Sequence, residues 1–525
     1  MKRNMRTIIF SLLLSVIMML AASPFVNAQR QGRNAEPAAW QHQIDFKLRP
    51  DDVTVLIASS GIRSGNVKQH FRSANVVHGF ESPDDIVTWT VFAPEEDDYV
   101  VSVLYSKREQ TTIEVASGES VLGAPTLTRT WENRPFFWRQ ELPGLMHLKT
   151  GENKITFRLP DAAAPTEAEK ENAGTSPRFG QGVTEEFHLY SLELGTGAAR
   201  RAQVERAQEI RGDPSWMVEG KYGIFVHWSS LSRGFTNSEP RASWFQKSVE
   251  MFDVRVFADA IERTGAAWIT FTATHQGFYW PGPNAALDKI VPGRTAKRDL
   301  LGEIINELDR RGIRTLFYLH TGYNGYDPHE WREVVGAKDP DTKRFSENIE
   351  AILRDCSLRY GEKLMGFGYM DGALSWDYPM NPSWEAWARA IKAGNPNAVV
   401  GFSSNRGPTV SPFNELAVTD GASHLRQPDP QLIGPGRQLG DVTPAWWCLM
   451  DRGGWFPSRP FNGQWGPGPI HSTDEYVEYF KQMDAAGIPV TINLILTADV
   501  TDEHPIFNPE CMAVMEEVRK VIRGK

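Results

Sequence analysis

From about Trp40 to Gly195, apolar and polar residues alternate in short runs. Ile86–Phe92, Tyr99–Tyr105, Thr111–Val115, Leu148–Phe157 and Phe187–Leu194 are such runs, and the first two are separated by the turn-forming stretch Ala93-Pro-Glu-Glu-Asp-Asp98. A period of two sends successive side chains to opposite faces, and the frequent turns return the chain on itself. The pattern predicts an antiparallel β-sandwich over residues 40–195. The stretch Asp161–Gln181, rich in Ala, Glu, Pro and Gly, is expected to interrupt it as a mobile loop.

The rhythm then changes. A helical linker is expected within residues 196–215, over Ala198–Ile210, and from 216 to 525 apolar runs alternate with amphipathic helical patterns. The predicted strands are Gly223–Trp228, Trp268–Thr274, Arg314–Leu319, Met365–Met370, Ala398–Ser403, Leu416–Thr419, Trp446–Met450 and Pro489–Leu494. Helices are predicted at Phe252–Arg263, Arg298–Arg310, Arg344–Tyr360, Trp384–Lys392, Asp474–Ala486 and Pro509–Ile522. Eight strands alternating with helices over roughly 300 residues predict an α/β fold, a (β/α)8 TIM-like barrel preceded by the all-β sandwich.

Composition adds a compartment. Lys2, Arg3 and Arg6 precede an apolar run from Ile8 to Ala22, and Val26-Asn27-Ala28 supplies the small residues of a cleavage site. Residues 1–28 therefore read as a secretory signal peptide, with no membrane association expected after its removal. Cleavage takes the formal net charge from −9 to −12, and an acidic chain without basic runs is a poor nucleic-acid binder. Only Cys356, Cys448 and Cys511 are present, without metal-like spacing, so the fold is expected to rely on its cores rather than on disulfides. The expected location is periplasmic or secreted.

Candidate chemistry collects at the carboxyl ends of the predicted strands, where barrels of this kind place their active sites. Strand one ends in His227-Trp228, strand two in Thr274-His275-Gln276 and strand three in Tyr318 to His320. Strand four, Met365-Gly-Phe-Gly-Tyr-Met-Asp371-Gly372, ends in a carboxylate; strand five leads to Asn405-Arg406 and strand six to Asp420. Taken singly, each has a bland explanation, such as a turn Asp or a hydrogen-bonded core His. Together they supply hydrogen-bonding groups for hydroxyls, aromatic rings for the apolar face of a sugar, and two carboxylates for glycoside hydrolysis.

These residues also carry a resemblance. Lys221-Tyr-Gly-Ile-Phe-Val-His-Trp228, Gly265-Ala-Ala-Trp through His275-Gln-Gly-Phe278, Arg298-Asp-Leu-Leu-Gly-Glu303, Tyr369-Met-Asp371-Gly372, Asn405-Arg406 and Gly487-Ile-Pro-Val-Thr-Ile-Asn493 resemble, in order, motifs of the family 29 α-L-fucosidases. The resemblance runs from about Trp216 to the C-terminus. It implies an exo-acting retaining α-glycosidase acting on oligosaccharide or polysaccharide, with Asp371 as nucleophile and no cofactor or metal. It also implies sugar contacts from His227, Trp228, Trp244, His275, Tyr318 and Arg406, the last helping to keep Asp371 ionised. For the general acid/base, Asn414–Asp420 gives two candidates, Asp420 at the strand end being preferred to Glu415 at its start, and Asp451 after strand seven is an outside choice.

The sequence departs from the family in places. Gln276-Gly277-Phe278 follows His275 where the family has a second histidine and then Asp-Gly-Phe, and Ser243-Trp244 replaces its Glu-Trp. These departures leave room for another glycone, such as an α-galactoside, or for a non-catalytic carbohydrate-binding barrel. A metal-dependent barrel hydrolase would need a His-x-His on strand one, which His227-Trp228-Ser229 does not provide. The N-terminal segment resembles β-sandwich carbohydrate-binding modules, which bind sugar on exposed rings; Trp131, Phe136, Phe137 and Trp138 are expected either to supply such rings or to pack in the core or on the next domain.

Overall fold

A computed structural model describes residues 46–524, apart from 71–72, 108–109, 123–125, 128–137, 165–186, 229–240, 276–277, 322–328, 338, 340–342, 372–381, 403–408, 410, 423–424, 426–441, 456–467 and 498. Residues 1–28, expected as a signal peptide, most of the segment Asp161–Gln181, expected as a loop, and Trp131, Phe136 and Phe137 lie outside the described residues.

The alternating N-terminal runs form two sheets around one core. In Ile86–Ala93 every second residue is buried, and its partner Gly151–Arg158 runs antiparallel with Ile155 opposite Trp89. In the second sheet, Asp97–Ser106 pairs antiparallel with His188–Gly195 and with Trp138–Glu141. Val87, Trp89, Val91, Ile155 and Phe157 meet Tyr99, Val101, Val103, Leu189 and Leu192 across the interior. Of the two readings of Trp138, a sugar-binding ring or a core ring, the structure gives the second: it packs against this core. His188–Gly195 is buried throughout, as are Ser102, Leu104 and Ser106 on the face away from the sandwich core, so the second sheet is covered on both sides.

The helix Gly197–Glu209 leads out of the sandwich, its first turn capped by the Thr196 hydroxyl, which accepts from Ala199 N at 3.0 Å. The helix is polar almost all round, as suits an element bridging two bodies rather than covering one. Arg206 donates to Glu385 at 2.9 Å and to the Asp51 carbonyl at 2.9 Å, joining a barrel helix to the sandwich.

The second half is a parallel eight-stranded sheet: β1 (Tyr222–Val226), β2 (Trp268–Thr274), β3 (Arg314–His320), β4 (Leu364–Asp371), β5 (Val399–Phe402), β6 (Leu416–Ala422), β7 (Thr443–Leu449) and β8 (Val490–Asn493). Their spatial order is β5-β4-β3-β2-β1-β8-β7-β6, the cyclic order of a (β/α)8 barrel with the ladder interrupted between β5 and β6. All eight predicted strands are present, with Trp268–Thr274 unchanged and the other ends shifted by at most three residues. The helices Val254–Thr264, Leu300–Asp309, Lys343–Tyr360, Trp384–Ile391, Thr473–Ala485 and Pro509–Arg523 match the predicted patterns. Short helices at Ser215–Gly220, Ala285–Ile290 and His329–Val335, and a longer one at Arg241–Met251, were not predicted.

Helix starts carry recognisable caps. Asp253 accepts from the backbone of Arg255 and Val256, and Ser472 with Glu475 forms a reciprocal capping box.

The barrel interior is filled with rings. Near the amino ends of the strands, Trp268 meets Trp216 edge-on at 5.8 Å, and the Arg314 guanidinium lies 4.7 Å above the Trp216 ring. Gly223 leaves the space for this: a Cβ there would lie 2.3 Å from the Trp268 ring. Higher up, Phe225, Tyr318, Tyr369 and Trp447 form the next tier, with ring centroids 4.7 to 5.7 Å apart.

Strand β4 is irregular, and the irregularity places its last residues. Its register against β3 slips twice, so that Phe317 faces Phe367 but Tyr318 faces Tyr369. The extra residue reverses the alternation: Phe367 stays on the helix side against Phe317, whereas Tyr369 joins the interior. Gly366 has φ +115°, and a Cβ there would lie 2.1 Å from the Val399 carbonyl oxygen. Only glycine fits that approach of β4 to β5.

Candidate active site

Above the aromatic tier, four strand ends bring polar groups together. Tyr318 from β3 donates its hydroxyl to Asp371 Oδ2 of β4 at 2.9 Å. Backbone pairing places His320 opposite Asp371. His227, just past β1, lies 4.8 Å from the Tyr318 ring and 5.4 Å from His275, just past β2. His275 in turn stacks on His320 at 4.5 Å and lies parallel to Tyr318 at 5.6 Å. The four rings are buried, while the Asp371 side chain is only partly so.

The imidazoles are held neutral. Burial lowers His227 from its ordinary value to about 3, against a raising contribution from Asn493, and burial lowers His320 to about 3. His275 is pushed well down, by burial first and then by its two histidine neighbours.

The tautomer of His227 follows from its partner. Asn493, at the end of β8, donates its amide nitrogen to the carbonyls of Gly454 and Trp455, both at 3.4 Å. Its oxygen therefore faces His227 Nδ1, at 3.4 Å, so Nδ1 carries the proton and Nε2 is an acceptor. A neutral acceptor of this kind suits a sugar hydroxyl.

The turn after β2 fixes His275. Its carbonyl accepts from Phe278 N at 2.9 Å, and Phe278 adopts φ +51°, a left-handed conformation disfavoured for a bulky residue. Phe278 is buried and stacks on Trp331 at 3.9 Å, which offsets that strain.

The other sequence-selected residues fall elsewhere. Trp228 is not on the rim: alternation after His227 sends it outward, where it packs among Phe245, Phe252 and Phe271 in the helix layer. Trp244 is buried on the helix Arg241–Met251, and its indole nitrogen meets no acceptor among the described residues. Asp420 lies near the carboxyl end of β6, paired with Trp447, and its side chain is outside the described residues, as is Arg406.

Glu415 requires a correction. It sits before β6, at the opposite end of the barrel from Asp371. Its carboxylate accepts from Val400 N at 2.8 Å and Gly212 N at 3.1 Å, and pairs with Lys392 at 2.9 Å. Its backbone nitrogen donates to the Val400 carbonyl at 3.0 Å, and its own carbonyl accepts from Thr443 N. Glu415 bridges the gap between β5 and β6 and is no acid/base. Asp451 is likewise structural, buried and bonded to Gly453 N and Asn508.

Three neighbours of the candidate site were given no role from the sequence. His320 lies at the end of a strand one residue longer than predicted. Asn493 closes β8 within a motif that gave it no role. Trp455 comes from the loop after β7, and its ring lies 5.6 Å from His227 and 5.9 Å from Phe225. Its half-buried face adds an aromatic wall beside the imidazoles.

Residues 196–401 match the family model described as Alpha-L-fucosidase. The chain is similar to tissue alpha-L-fucosidase of Macaca fascicularis, 29% identical over 170 residues that cover 25% of this chain and 36% of that protein. It is also similar to the Homo sapiens tissue alpha-L-fucosidase, 28% identical over 172 residues with the same coverage of 25% and 36%. The chain thus spans about a third of the length of the curated relatives it matches. Among solved structures, an alpha-L-fucosidase of Bacteroides thetaiotaomicron is 18% identical, with a TM-score of 0.43, covering 60% of this chain and 74% of that one.

Proposed function

We propose, from a barrel that belongs to the α-L-fucosidase family of glycoside hydrolases, that this protein is an exported retaining exo-α-glycosidase whose glycone is L-fucose or a sugar of the same stereochemical pattern. The observation that carries the reading is the Tyr318–Asp371 hydrogen bond beneath neutral imidazoles at the carboxyl end of the barrel. A carboxylate held by a donor at the carboxyl end of a barrel strand is equipped to attack an anomeric carbon, while neutral rings receive hydroxyls without selecting for charge.

In the proposed reaction, Asp371 Oδ attacks the anomeric carbon and the glycosidic C–O bond breaks as Asp420 protonates the leaving oxygen. Water, deprotonated by Asp420, then displaces Asp371, and two inversions give retention. His227 and His275 hold the glycone hydroxyls, and Trp455 supplies an apolar wall. Residues 1–28 would direct export, and a glycan is the proposed substrate.

The test is a panel of aryl glycosides with the first-formed anomer followed by NMR. Hydrolysis of the α-L-fucoside with release of the α-anomer is expected, and Asp371→Asn should abolish it while leaving the fold intact. Release of the β-anomer, or full activity in Asp371→Asn, would overturn the reading.

A further inference from the structure

Asn493 ends β8 and is fully buried, in a barrel whose interior is otherwise filled with rings. Burying a carboxamide is unfavourable unless its polar groups are bonded. Here its nitrogen serves the Gly454 and Trp455 carbonyls, and its oxygen serves His227 Nδ1. The strand register brings these partners within reach. Asn493 lies opposite Phe225 of β1, two residues before His227, and opposite Leu449 of β7, the strand that leads to Trp455.

The turn after β7 is built to meet that amide. The Asp451 carboxylate accepts from Gly453 N at 2.7 Å, and the Asp451 carbonyl accepts from Gly454 N at 3.2 Å. Gly454 has φ +98°, a conformation that glycine adopts without strain. The backbone of Asn493 closes the other side, its carbonyl accepting from Met450 N at 3.3 Å.

An apolar side chain of similar size at 493 would fill the space without an amide to desolvate. It could not choose a tautomer. An acceptor at Nδ1 keeps the proton there and leaves Nε2 with its lone pair; without one, the neutral ring carries its proton on either nitrogen. Nor could an apolar side chain hold the two carbonyls that flank the start of the loop, where the Trp455 ring lies 5.6 Å from the His227 ring.

We propose that Asn493 is a positioning residue of the candidate site: it sets the proton on His227 Nδ1 and holds the turn that carries Trp455, so that a hydrogen-bond acceptor and an aromatic wall meet the glycone as one unit. This rests on the glycosidase reading above. Among the described residues, the titratable groups around His227 are His275 from the end of β2 and Tyr318 and His320 from β3, with Asp371 bonded to Tyr318.

The test compares wild type with Asn493→Leu and Asn493→Asp. Leucine removes both halves of the amide, whereas aspartate keeps an acceptor for Nδ1, loses the donors to the turn and adds a charge beside the ring. Nitrogen NMR of protein labelled at its histidine rings reads the tautomer, with His227 assigned by the signals lost in His227→Gln. Thermal midpoint and kcat/KM at pH 5 and pH 7 are measured on the aryl glycoside that wild type hydrolyses. Wild type is expected to show a protonated Nδ1 and a bare Nε2 at His227. In Asn493→Leu the proton should spread to Nε2, with kcat/KM about tenfold lower at both pH values. In Asn493→Asp the proton should stay on Nδ1 while the ring titrates about one to three pH units higher. Its kcat/KM, relative to wild type, should then be lower at pH 5 than at pH 7. A protonated Nε2 in wild type, an unchanged tautomer in Asn493→Leu, or wild-type kcat/KM in both variants would each overturn the proposal, as would a loss that merely tracks loss of folded protein. Should wild type hydrolyse no glycoside, the functional reading fails, and the tautomers of wild type and Asn493→Leu alone decide whether Asn493 sets the proton on His227.

Discussion

Three imidazoles line the mouth of this barrel, and burial, not a charged partner, sets their state. His227 and His320 titrate near 3 in the folded chain, against about 6.5 when exposed. The unfolded chain therefore takes up protons below about pH 6.5 that the folded chain refuses until about pH 3, so their contribution is intact at neutral pH and falls as pH drops through that window. The loss amounts to about 1 to 2 kcal/mol per histidine between pH 7 and pH 5. Urea unfolding at the two pH values should show it, and His320→Gln should flatten the dependence by about one proton. An unchanged slope in His320→Gln would contradict the assignment of that histidine as buried and neutral. At this scale the sequence was partly legible. Strand-end position found His227, His275, Tyr318 and Asp371, but alternation, applied one residue further, would have excluded Trp228. Trp455 carried no strand signal, because a loop brings it to the site.

Among the elements, strands were easier to recognise than the way they meet. Apolar runs marked all eight strands, including β6 and β7, whose signals are short. What the runs do not encode is the slip in β4 that turns Tyr369 and Asp371 inward. Gly366 and Gly368 were the visible trace of it, and glycine in a strand commonly marks a bulge or a close backbone approach. Nor did they encode the break between β5 and β6, which Glu415 spans. A carboxylate at the start of a strand faces the closed end of a barrel, and here it is bonded to two backbone amides and to Lys392. Glu415→Ala should leave Lys392 buried without its partner and cost about 3 to 5 kcal/mol. Urea unfolding measures that loss, and turnover per folded molecule should stay near wild type. A stable but inactive Glu415→Ala would return this residue to the chemistry.

Seen whole, the molecule is a sandwich and a barrel joined by a polar helix, and directed polar contacts run between them. Arg206 reaches Asp51 and Glu385, and Arg139 reaches Glu193 and Thr409. The two rhythms of the sequence, period two and then strand–helix alternation, revealed both bodies. They carried no sign that the second sandwich sheet would be buried on both faces, because contacts between distant segments leave no periodic trace. In the proposed reaction one carboxylate, Asp371, makes the attack. Incubation with a 2-deoxy-2-fluoro-α-L-fucosyl donor bearing a good leaving group tests that role most directly, since the fluorine slows the second displacement more than the loss of an activated leaving group. Intact-mass measurement should show the addition of one fluorofucosyl group, and peptide mapping should place it on Asp371. A label on any other carboxylate, or steady turnover of unmodified substrate by a protein that never acquires the label, would contradict the account.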